Sequence, residues 1–282
     1  MIFPTIKLIK ELAVKPAKKR GQNFLIDKNI AAKTVAYARI ASSDIVLEIG
    51  PGLGSLTYFF HMQGTAAFSI EIDEQLFEIL ERSVSPDSSV KLINIDILKL
   101  NFNKILGDDT QAVLIGSLPY AITTPILLRF FKESSKFKRA VFIIQKEVAQ
   151  RLCALPGTRE YGIFSVYCQA YMKTFFHATI SPECFYPKPK VDSAILELIP
   201  VTEKIWSDTT EILFRQLVRA SFSKRRKTLY NCLKGFAAQH NIDHDDLRKK
   251  SLAKSIDLTR RAETLSAEEF YTLTAVVHEC LA

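Results

Sequence analysis

The chain has 282 residues, of which 48% are hydrophobic and 24% charged, and its formal net charge is +8. This length and hydrophobic content allow one or two domains with a substantial core, and the absence of any apolar run of about 18 residues argues against a membrane-spanning helix. The five cysteines are scattered, and the N-terminus lacks an uninterrupted apolar stretch. We therefore expect a cytoplasmic protein with reduced thiols and neither disulfides nor a metal site.

The positive charge is concentrated in two segments. Residues 1–33 contain eight Lys or Arg against two acids, and residues 215–261 contain thirteen against four. The rest of the chain is mildly acidic. Two basic segments beside an acidic body suit a polyanion held at two places, so the charge pattern favours a nucleic-acid partner over an ordinary solvated surface.

Between residues 44 and about 150, short apolar runs alternate with amphipathic helical stretches. Strands bounded by turns and separated by helices indicate βαβ units and a mostly parallel sheet. The predicted strands are IVLEIG (45–50), AFSIEID (67–73), VKLINIDIL (90–98), AVLIG (112–116) and AVFIIQ (140–145).

Two further apolar runs, IFSVYCQAY (163–171) and SAILELIPV (193–201), come close together, and we predict that they form an antiparallel edge of the sheet. After Pro200 the apolar residues recur only at helical spacing. The pattern therefore predicts an α/β domain over residues 1–200 and a small all-α domain over residues 201–282. Ser266, with Glu269 three residues later, is a capping box for the last helix.

The segment EIGPGLGSLT (48–57) has the glycines of a ligand-binding turn between strand and helix. At Gly50, Gly52 and Gly54 the backbone can approach a ligand closely because no Cβ intervenes. Their spacing is G-x-G-x-G, and Ser55 stands where a dinucleotide fingerprint requires its third glycine. The spacing therefore disfavours a nicotinamide-dependent oxidoreductase.

Two acidic residues follow at the ends of the next two strands. Glu71 ends the second predicted strand, where a carboxylate can accept hydrogen bonds from ribose hydroxyls. Asp96 follows the third, where it can accept a hydrogen bond from an exocyclic amine. Together with the glycines, these acids predict a ligand that contains a nucleoside.

The segment GSLPY (116–120) ends the fourth predicted strand. Pro119 cannot donate a strand hydrogen bond and restricts Leu118 to extended geometry, and Tyr120 adds a flat ring with a polar tip. Taken alone, the segment could be a plain strand-to-helix turn.

Taken in order, these motifs resemble those of the rRNA adenine N6,N6-dimethyltransferases, within the class I S-adenosylmethionine-dependent methyltransferases. The matching segments span nearly the whole chain: GQNFL (21–25), EIGPGLG (48–54), EID (71–73), DIL (96–98), SLPY (117–120), FYPKPKVDSAI (185–195) and FSKRRKTL (222–229). The resemblance implies a Rossmann-like, seven-stranded, mostly parallel sheet with an antiparallel edge, a small helical RNA-binding domain, and S-adenosylmethionine as cofactor. FSKRRKTL resembles the branch that modifies the small ribosomal subunit.

The resemblance also implies catalytic roles for individual residues. The side chain of Ser117 and the carbonyl of Leu118 would accept the hydrogens of an adenine amino group, and Pro119 would fix that backbone. Tyr120 would stack on the flipped-out base, and Phe185 would cover its other face. The small-subunit relatives usually carry asparagine at the position of Ser117; a hydroxyl still offers an acceptor, so we expect activity to survive.

The resemblance further implies two binding surfaces. Phosphate contacts to RNA would come from Lys224, Arg225, Arg226 and Lys227, although some of these charges could instead pair with acidic groups. The cofactor would be lined by Asn23, Leu25, Gly50, Gly52, Gly54, Glu71, Asp96 and Ser117.

The function that the resemblance implies is dimethylation of the N6 amino groups of two adjacent adenosines near the 3′ end of small-subunit (16S) rRNA. The partner would be a pre-30S particle, and the enzyme a monomer. Two alternatives stay open: a large-subunit (23S) rRNA adenine methyltransferase of the macrolide-resistance type, and a non-catalytic RNA or assembly factor on the same fold. The complete set of glycines with Glu71, Asp96 and Tyr120 speaks against the non-catalytic alternative.

Overall fold

The computed structural model describes the chain except for residues 15, 17–20, 108–109, 202–206 and 282. The chain divides into two compact units. The first comprises Met1–Ala149 and Lys173–Pro200, and the second comprises Gln150–Met172 and Val201–Ala282. None of the helices in the described ranges is long and apolar enough to cross a membrane.

The strands of the described ranges are β1 (Phe24–Leu25), β2 (Ile45–Ile49), β3 (Ala67–Glu71), β4 (Val90–Asn94), β5 (Ala112–Ser117), β6 (Phe137–Gln145), β7 (Met172–Ile180), β8 (Phe185–Tyr186) and β9 (Ser193–Pro200). Seven of them form one sheet in the order β4-β3-β2-β5-β6-β9-β7, and β1 pairs with β8 in a separate two-stranded ladder. The pairs β2–β3, β3–β4, β2–β5 and β5–β6 are parallel, whereas β9 runs antiparallel to β6. The predicted mostly parallel sheet with an antiparallel side is confirmed.

The helices are α1 (Ile6–Glu11), α2 (Lys28–Ala38), α3 (Thr57–Gln63), α4 (Glu74–Ser83), α5 (Asn103–Leu106), α6 (Thr123–Lys132), α7 (Lys146–Leu152), α8 (Ile163–Tyr171), α9 (Asp208–Ser221), α10 (Leu229–Gln239), α11 (His244–Ala253) and α12 (Ala267–Leu281). Aspartates begin two helices of the first unit. Asp27 accepts hydrogen bonds from the N–H groups of Asn29 and Ile30, and Asp73 accepts one from Leu76. These side chains satisfy donors that a first helical turn leaves unpaired.

The central strands are apolar because they are covered on both faces. In β5, Ala112, Val113, Leu114 and Ile115 are all buried, as parallel strands between two helical layers require. The carboxyl ends of β2, β3, β4 and β5 therefore meet at one edge of a rigid sheet, which is where ligands bind in folds of this type.

The second unit is helical, with a core of its own that includes Phe214, Leu217, Phe236, Phe270 and Val277. The predicted capping box at the start of α12 is confirmed. The N–H of Glu269 donates to Ser266 Oγ at 3.1 Å, and the N–H of Ser266 donates to Glu269 Oε2 at 2.7 Å. The last helix of this unit, α12, therefore begins where the sequence predicts.

One predicted strand is wrong: IFSVYCQAY (163–171) is helix α8, and the strand at the edge of the sheet is β7, the segment that follows it. A short apolar run does not by itself distinguish a buried helix from a strand. Here Val166 and Tyr167 pack into the core of the second unit, and the Gly162 N–H donates to Ser165 Oγ at the start of the helix. Residues 150–172 consequently belong to the second unit, although the predicted domain boundary at residue 200 placed them in the first.

Candidate active site

A cleft of about 220 Å³ lies in the first unit, at the carboxyl edge of the parallel strands. Four strand ends contribute to it: Gly50 follows β2, Glu71 ends β3, Asp96 follows β4, and Ser117 ends β5. The parallel topology alone brings together residues that are up to 67 positions apart (from Gly50 to Ser117). The predicted site residues that line the cleft are Asn23, Gly50, Gly52, Glu71, Asp96, Ser117, Leu118, Pro119, Tyr120 and Phe185.

Leu25 and Gly54 do not line this cleft. Leu25 is buried in the hydrophobic core of the first unit and borders a smaller adjoining cavity. Gly54 has a φ of +85°, and a Cβ at this position would come within 2.7 Å of Leu80 on α4. The left-handed backbone conformation alone favours a glycine at this position, whether or not a ligand lies nearby.

The glycine turn after β2 takes a shape that favours residues without a side chain. Gly50 and Gly52 both adopt left-handed backbone conformations, with φ of +64° and +57°. Gly50 also continues the sheet, because its N–H donates to the carbonyl of Ile70 at 2.9 Å. The turn therefore presents bare backbone to the cleft from a fixed position.

Glu71 is held in a single orientation by backbone donors. Its two carboxylate oxygens accept hydrogen bonds from the N–H groups of Gly52 (3.0 Å) and Asp73 (2.9 Å). Burial raises the pKa of Glu71, while those two hydrogen bonds lower it in part. Because a carboxylate oxygen has two lone pairs, each oxygen can still accept a second hydrogen bond from a ligand.

Asp96 begins the short 3₁₀ helix Ile97–Lys99. Its Oδ1 accepts a hydrogen bond from the N–H of Leu98 at 2.9 Å, and Oδ2 accepts none from the part of the chain that the structure describes. The side chain is half-buried and lines the cleft. One carboxylate oxygen thus fixes the group, and the other remains available to a hydrogen-bond donor.

The SLPY segment makes a firm turn at the end of β5. The N–H of Leu118 donates to the carbonyl of Ile143, which extends the pairing with β6, and the carbonyl of Pro119 accepts from Ile122 N–H and Thr123 Oγ1. Within the described residues, Ser117 Oγ makes no hydrogen bond. The segment therefore offers a free hydroxyl on a rigid backbone.

The close approach of two neighbouring strands explains why the segment GSLPY begins with a glycine. A Cβ at Gly116 would lie 2.5 Å from the carbonyl oxygen of Ile49 on the neighbouring strand. No L-side chain fits at that distance, so the close approach of β5 to β2 depends on this glycine. The motif alone does not reveal this packing role of Gly116.

Two aromatic side chains close the cleft. The hydroxyl of Tyr120 lies 2.6 Å from Ser193 Oγ at the start of β9. Burial raises the pKa of Tyr120, so its phenol remains protonated near neutral pH. Phe185 pairs with Leu25 in the small β1–β8 ladder and is buried. Ser193 was missed by sequence reasoning as a site residue, although it lies within the quoted segment FYPKPKVDSAI.

Glu48, on β2, is a second buried carboxyl close to the glycine turn. Its Oε2 accepts hydrogen bonds from Thr57 (2.7 Å) and Ser69 (2.6 Å), and its Oε1 has no partner among the described residues. Complete burial raises the pKa of Glu48 to about 7. The group links β2 to β3 and to the first turn of α3, so it supports the turn that carries Gly50 and Gly52.

The four predicted RNA-binding residues lie in the second unit, in the loop between α9 and α10. All four are exposed, and none forms an ion pair within the described ranges. Lys224, Arg225 and Lys227 line a cleft of about 440 Å³ together with Arg151 and Arg159, whereas Arg226 does not. Sequence reasoning missed Arg151 and Arg159, because they are about 65 to 75 positions away from the loop between α9 and α10.

The seven-stranded sheet, with its cleft at the carboxyl ends of the parallel strands, has the Rossmann-like fold of the class I methyltransferases. The family model described as "Ribosomal RNA adenine dimethylase" matches residues 14–279, and the chain belongs to that family.

Known relatives agree with this assignment. A protein of Clostridium botulinum (strain Loch Maree / Type A3) named "Ribosomal RNA small subunit methyltransferase A" is 39% identical over 277 residues, which cover 98% of this chain and 99% of the relative. A dimethyladenosine transferase from Plasmodium falciparum has a similar structure, with a TM-score of 0.76, 25% identity, and coverage of 90% of this chain and 96% of that chain. The 23S rRNA methyltransferase ErmE has a TM-score of 0.69 at 22% identity, covering 91% of this chain and 100% of that one, and it shares the fold.

Proposed function

We propose that this chain dimethylates the N6 amino groups of two adjacent adenosines near the 3′ end of small-subunit rRNA, with S-adenosylmethionine as the methyl donor. One observation carries the proposal: the SLPY segment lines the same cleft as the glycine turn, Glu71 and Asp96. The residues that would bind the nucleoside of the methyl donor therefore lie next to the segment that would hold the adenine substrate.

The donor half of the cleft suits the nucleoside of S-adenosylmethionine. The fixed carboxylate of Glu71 can accept from the two ribose hydroxyls, and Asp96 Oδ2 can accept from the exocyclic amine. The left-handed turn at Gly50 and Gly52 lets the rest of the molecule approach bare backbone. The bound cofactor supplies an electrophilic methyl group on a sulfonium, and its departure leaves a neutral thioether.

The acceptor half suits the amino group of an adenine. This nitrogen is a poor nucleophile because its lone pair is delocalised into the ring. If Ser117 Oγ and the carbonyl of Leu118 accept its two hydrogens, the nitrogen can turn its lone pair towards the methyl group. The proton becomes acidic as the N–C bond forms and leaves to solvent, so the site requires no strong base.

Tyr120 and Phe185 hold the base in this geometry. Both line the cleft, and aromatic rings bind flipped-out bases through their faces. Catalysis is then mainly positioning, which can lower a barrier by roughly 7–11 kcal/mol in favourable cases.

The RNA contacts are assigned to the second unit. The exposed loop at Lys224–Lys227 and the cleft that part of it shares with Arg151 and Arg159 offer several cations to phosphates. The small-subunit methyltransferase of Clostridium botulinum named above supports a small-subunit RNA as substrate. A pre-30S particle as partner, a monomeric enzyme and a cytoplasmic location belong to the same proposal.

The test is transfer of radiolabelled methyl groups from S-adenosylmethionine to undermethylated small subunits and, in parallel, to free large-subunit RNA. Nucleoside analysis of the small-subunit RNA should give N6,N6-dimethyladenosine. Label only in the large-subunit RNA would assign the chain to the other branch. If the protein binds the cofactor but labels neither RNA, it is a non-catalytic factor and the proposal is wrong.

A further inference from the structure

The Tyr120 side chain is held at two points, by its own backbone and by a hydrogen bond of its hydroxyl. Its backbone begins the 3₁₀ helix Tyr120–Ile122 after the SLPY turn, and its hydroxyl lies 2.6 Å from Ser193 Oγ. Ser193 is fully buried, whereas Tyr120 is half-buried and borders the cleft. The residue proposed to hold the adenine therefore depends on a hydroxyl that lies behind it in the sheet.

The strand order shows which strands the contact between Tyr120 and Ser193 connects. Ser117 of β5 is opposite Ile143 of β6, and Gln145 of β6 is opposite Ser193 of β9. Because β9 runs antiparallel to β6, its first residue lies at the same edge as the carboxyl ends of the parallel strands. The Tyr120 side chain thus crosses the end of β6 and connects β5 to β9.

The anchor on β9 is itself firmly held. Ser193 begins the strand, and the residue before it is fixed twice by Lys146: the Lys146 N–H donates to the Asp192 carbonyl at 3.0 Å, and its ammonium lies 3.2 Å from Asp192 Oδ2. The backbone that carries Ser193 Oγ is therefore held in place beside the Tyr120 hydroxyl. While its hydroxyl stays hydrogen-bonded to this partner, the Tyr120 side chain is restricted in its rotation about χ1.

We propose that Ser193 is a positioning residue for methyl transfer: its hydroxyl holds the Tyr120 ring so that one face meets the flipped-out adenine. A phenolic O–H prefers the plane of its ring, so the hydrogen bond restricts rotation about χ2 as well. Without this hydrogen bond, the Tyr120 ring keeps its surface for stacking, but its orientation is no longer fixed. The inference rests on the proposed function, since it concerns the base in that reaction.

The experiment is a double-mutant cycle on Ser193→Ala, Tyr120→Phe and the double variant, with Thr34→Val as control. Thr34→Val also removes a buried hydroxyl from the first unit, one that donates only to the carbonyl of Ile30. The readouts are the single-turnover rate of methylation of small-subunit particles at saturating cofactor, the cofactor affinity and the melting temperature.

Each single variant should lower the rate by roughly 3- to 10-fold, the size expected for one lost hydrogen bond. The double variant should be no slower than the singles, because both remove the same interaction. Cofactor affinity should remain at the wild-type value, and Thr34→Val should leave the rate unchanged. Tyr120→Phe alone carries the test if Ser193→Ala does not fold.

Rate losses that multiply in the double variant would overturn the inference, and so would an unchanged rate in Tyr120→Phe. In either case wild-type protein would still methylate the particles, and the proposed function would stand. Wild-type protein that methylates no particle would contradict the proposed function and, with it, this inference.

Discussion

The clefts of the two units differ in how their charged groups are held. In the first unit, Glu71 is 5% exposed and receives hydrogen bonds from two backbone N–H groups. In the second, Lys224–Lys227 are exposed and unpaired within the described part of the chain. Fixed, buried groups select a small ligand by geometry, whereas exposed cations attract a polyanion at long range and with little geometric demand. The two regions should therefore respond differently to mutation and to salt.

The largest effect is expected from Tyr120→Ala. Loss of the ring removes a stacking surface worth about 1–3 kcal/mol per base and disturbs the alignment of the amino group, so methyl transfer should fall by roughly 100-fold. Single-turnover methylation of small-subunit particles at saturating cofactor measures the effect. A rate equal to that of the wild type would make the SLPY segment a plain strand-to-helix turn.

Glu71→Ala should weaken S-adenosylmethionine binding by roughly 1.5–3 kcal/mol, the range for hydrogen bonds to a charged group. Isothermal titration calorimetry gives the affinity. Glu74→Ala is the matched control, because Glu74 is an exposed acid three positions away on α4. If both variants bind the cofactor as the wild type does, Glu71 does not contact it.

Neutralising Lys224, Arg225, Arg226 and Lys227 together should weaken RNA binding and reduce its dependence on salt. Each lost phosphate contact should lower the magnitude of the log–log slope by about 0.7–0.9. Filter binding to small-subunit particles across a range of salt concentrations measures this slope. Neutralising the exposed Lys234, Lys249 and Lys254 of the same unit is the control, and an equal effect per charge would remove the special role of the loop.

Glu48→Gln should change the pH dependence of stability. Because burial raises the pKa of Glu48 to about 7 from an ordinary value near 4.5, the folded protein holds a proton that the unfolded chain releases. The resulting stabilisation is complete below the ordinary pKa and disappears as the pH rises through 7. It amounts to roughly 3 kcal/mol, from about 1.4 kcal/mol per pKa unit.

Denaturant unfolding between pH 5 and pH 8.5 tests this prediction. The wild type should lose stability over this interval, and Glu48→Gln should lose less. Glu78→Gln, on the exposed face of α4, should behave as the wild type does. Parallel curves for the wild type and Glu48→Gln would show that Glu48 is already ionised at the lower pH.

Most of the catalytic region could be predicted from the sequence because its signals are local. Parallel strands that are covered on both faces have continuous apolar sequences. Their carboxyl ends lie at the same edge of the sheet, whatever the details of the packing. Glu71, Asp96 and Ser117 could thus be placed at one cleft from their positions at strand ends. The capping box at Ser266 and Glu269 is equally local.

The features that the sequence did not reveal depend on contacts between distant segments. α8 is a helix because Val166 and Tyr167 pack into the second unit, which its apolar sequence does not specify. The hydrogen bond between Tyr120 and Ser193 joins residues 73 positions apart. Arg151 and Arg159 line the same cleft as Lys224 only because residues 150–172 belong to the second unit. Gly54 shows the opposite case, since it belongs to the same motif as Gly50 and Gly52 but does not line the cleft, and its left-handed backbone lies against Met1 and Leu80.

The contrast between the two clefts is tested most directly by measuring two quantities on the same two variants. These quantities are the salt dependence of particle binding and the single-turnover methylation rate at saturating particles. Tyr120→Ala should lower the rate and keep the wild-type salt slope, whereas the variant neutralised at Lys224–Lys227 should flatten the slope and keep the wild-type rate. A flattened slope in Tyr120→Ala would contradict this division of roles, and so would a lower rate in the neutralised variant when every particle is bound.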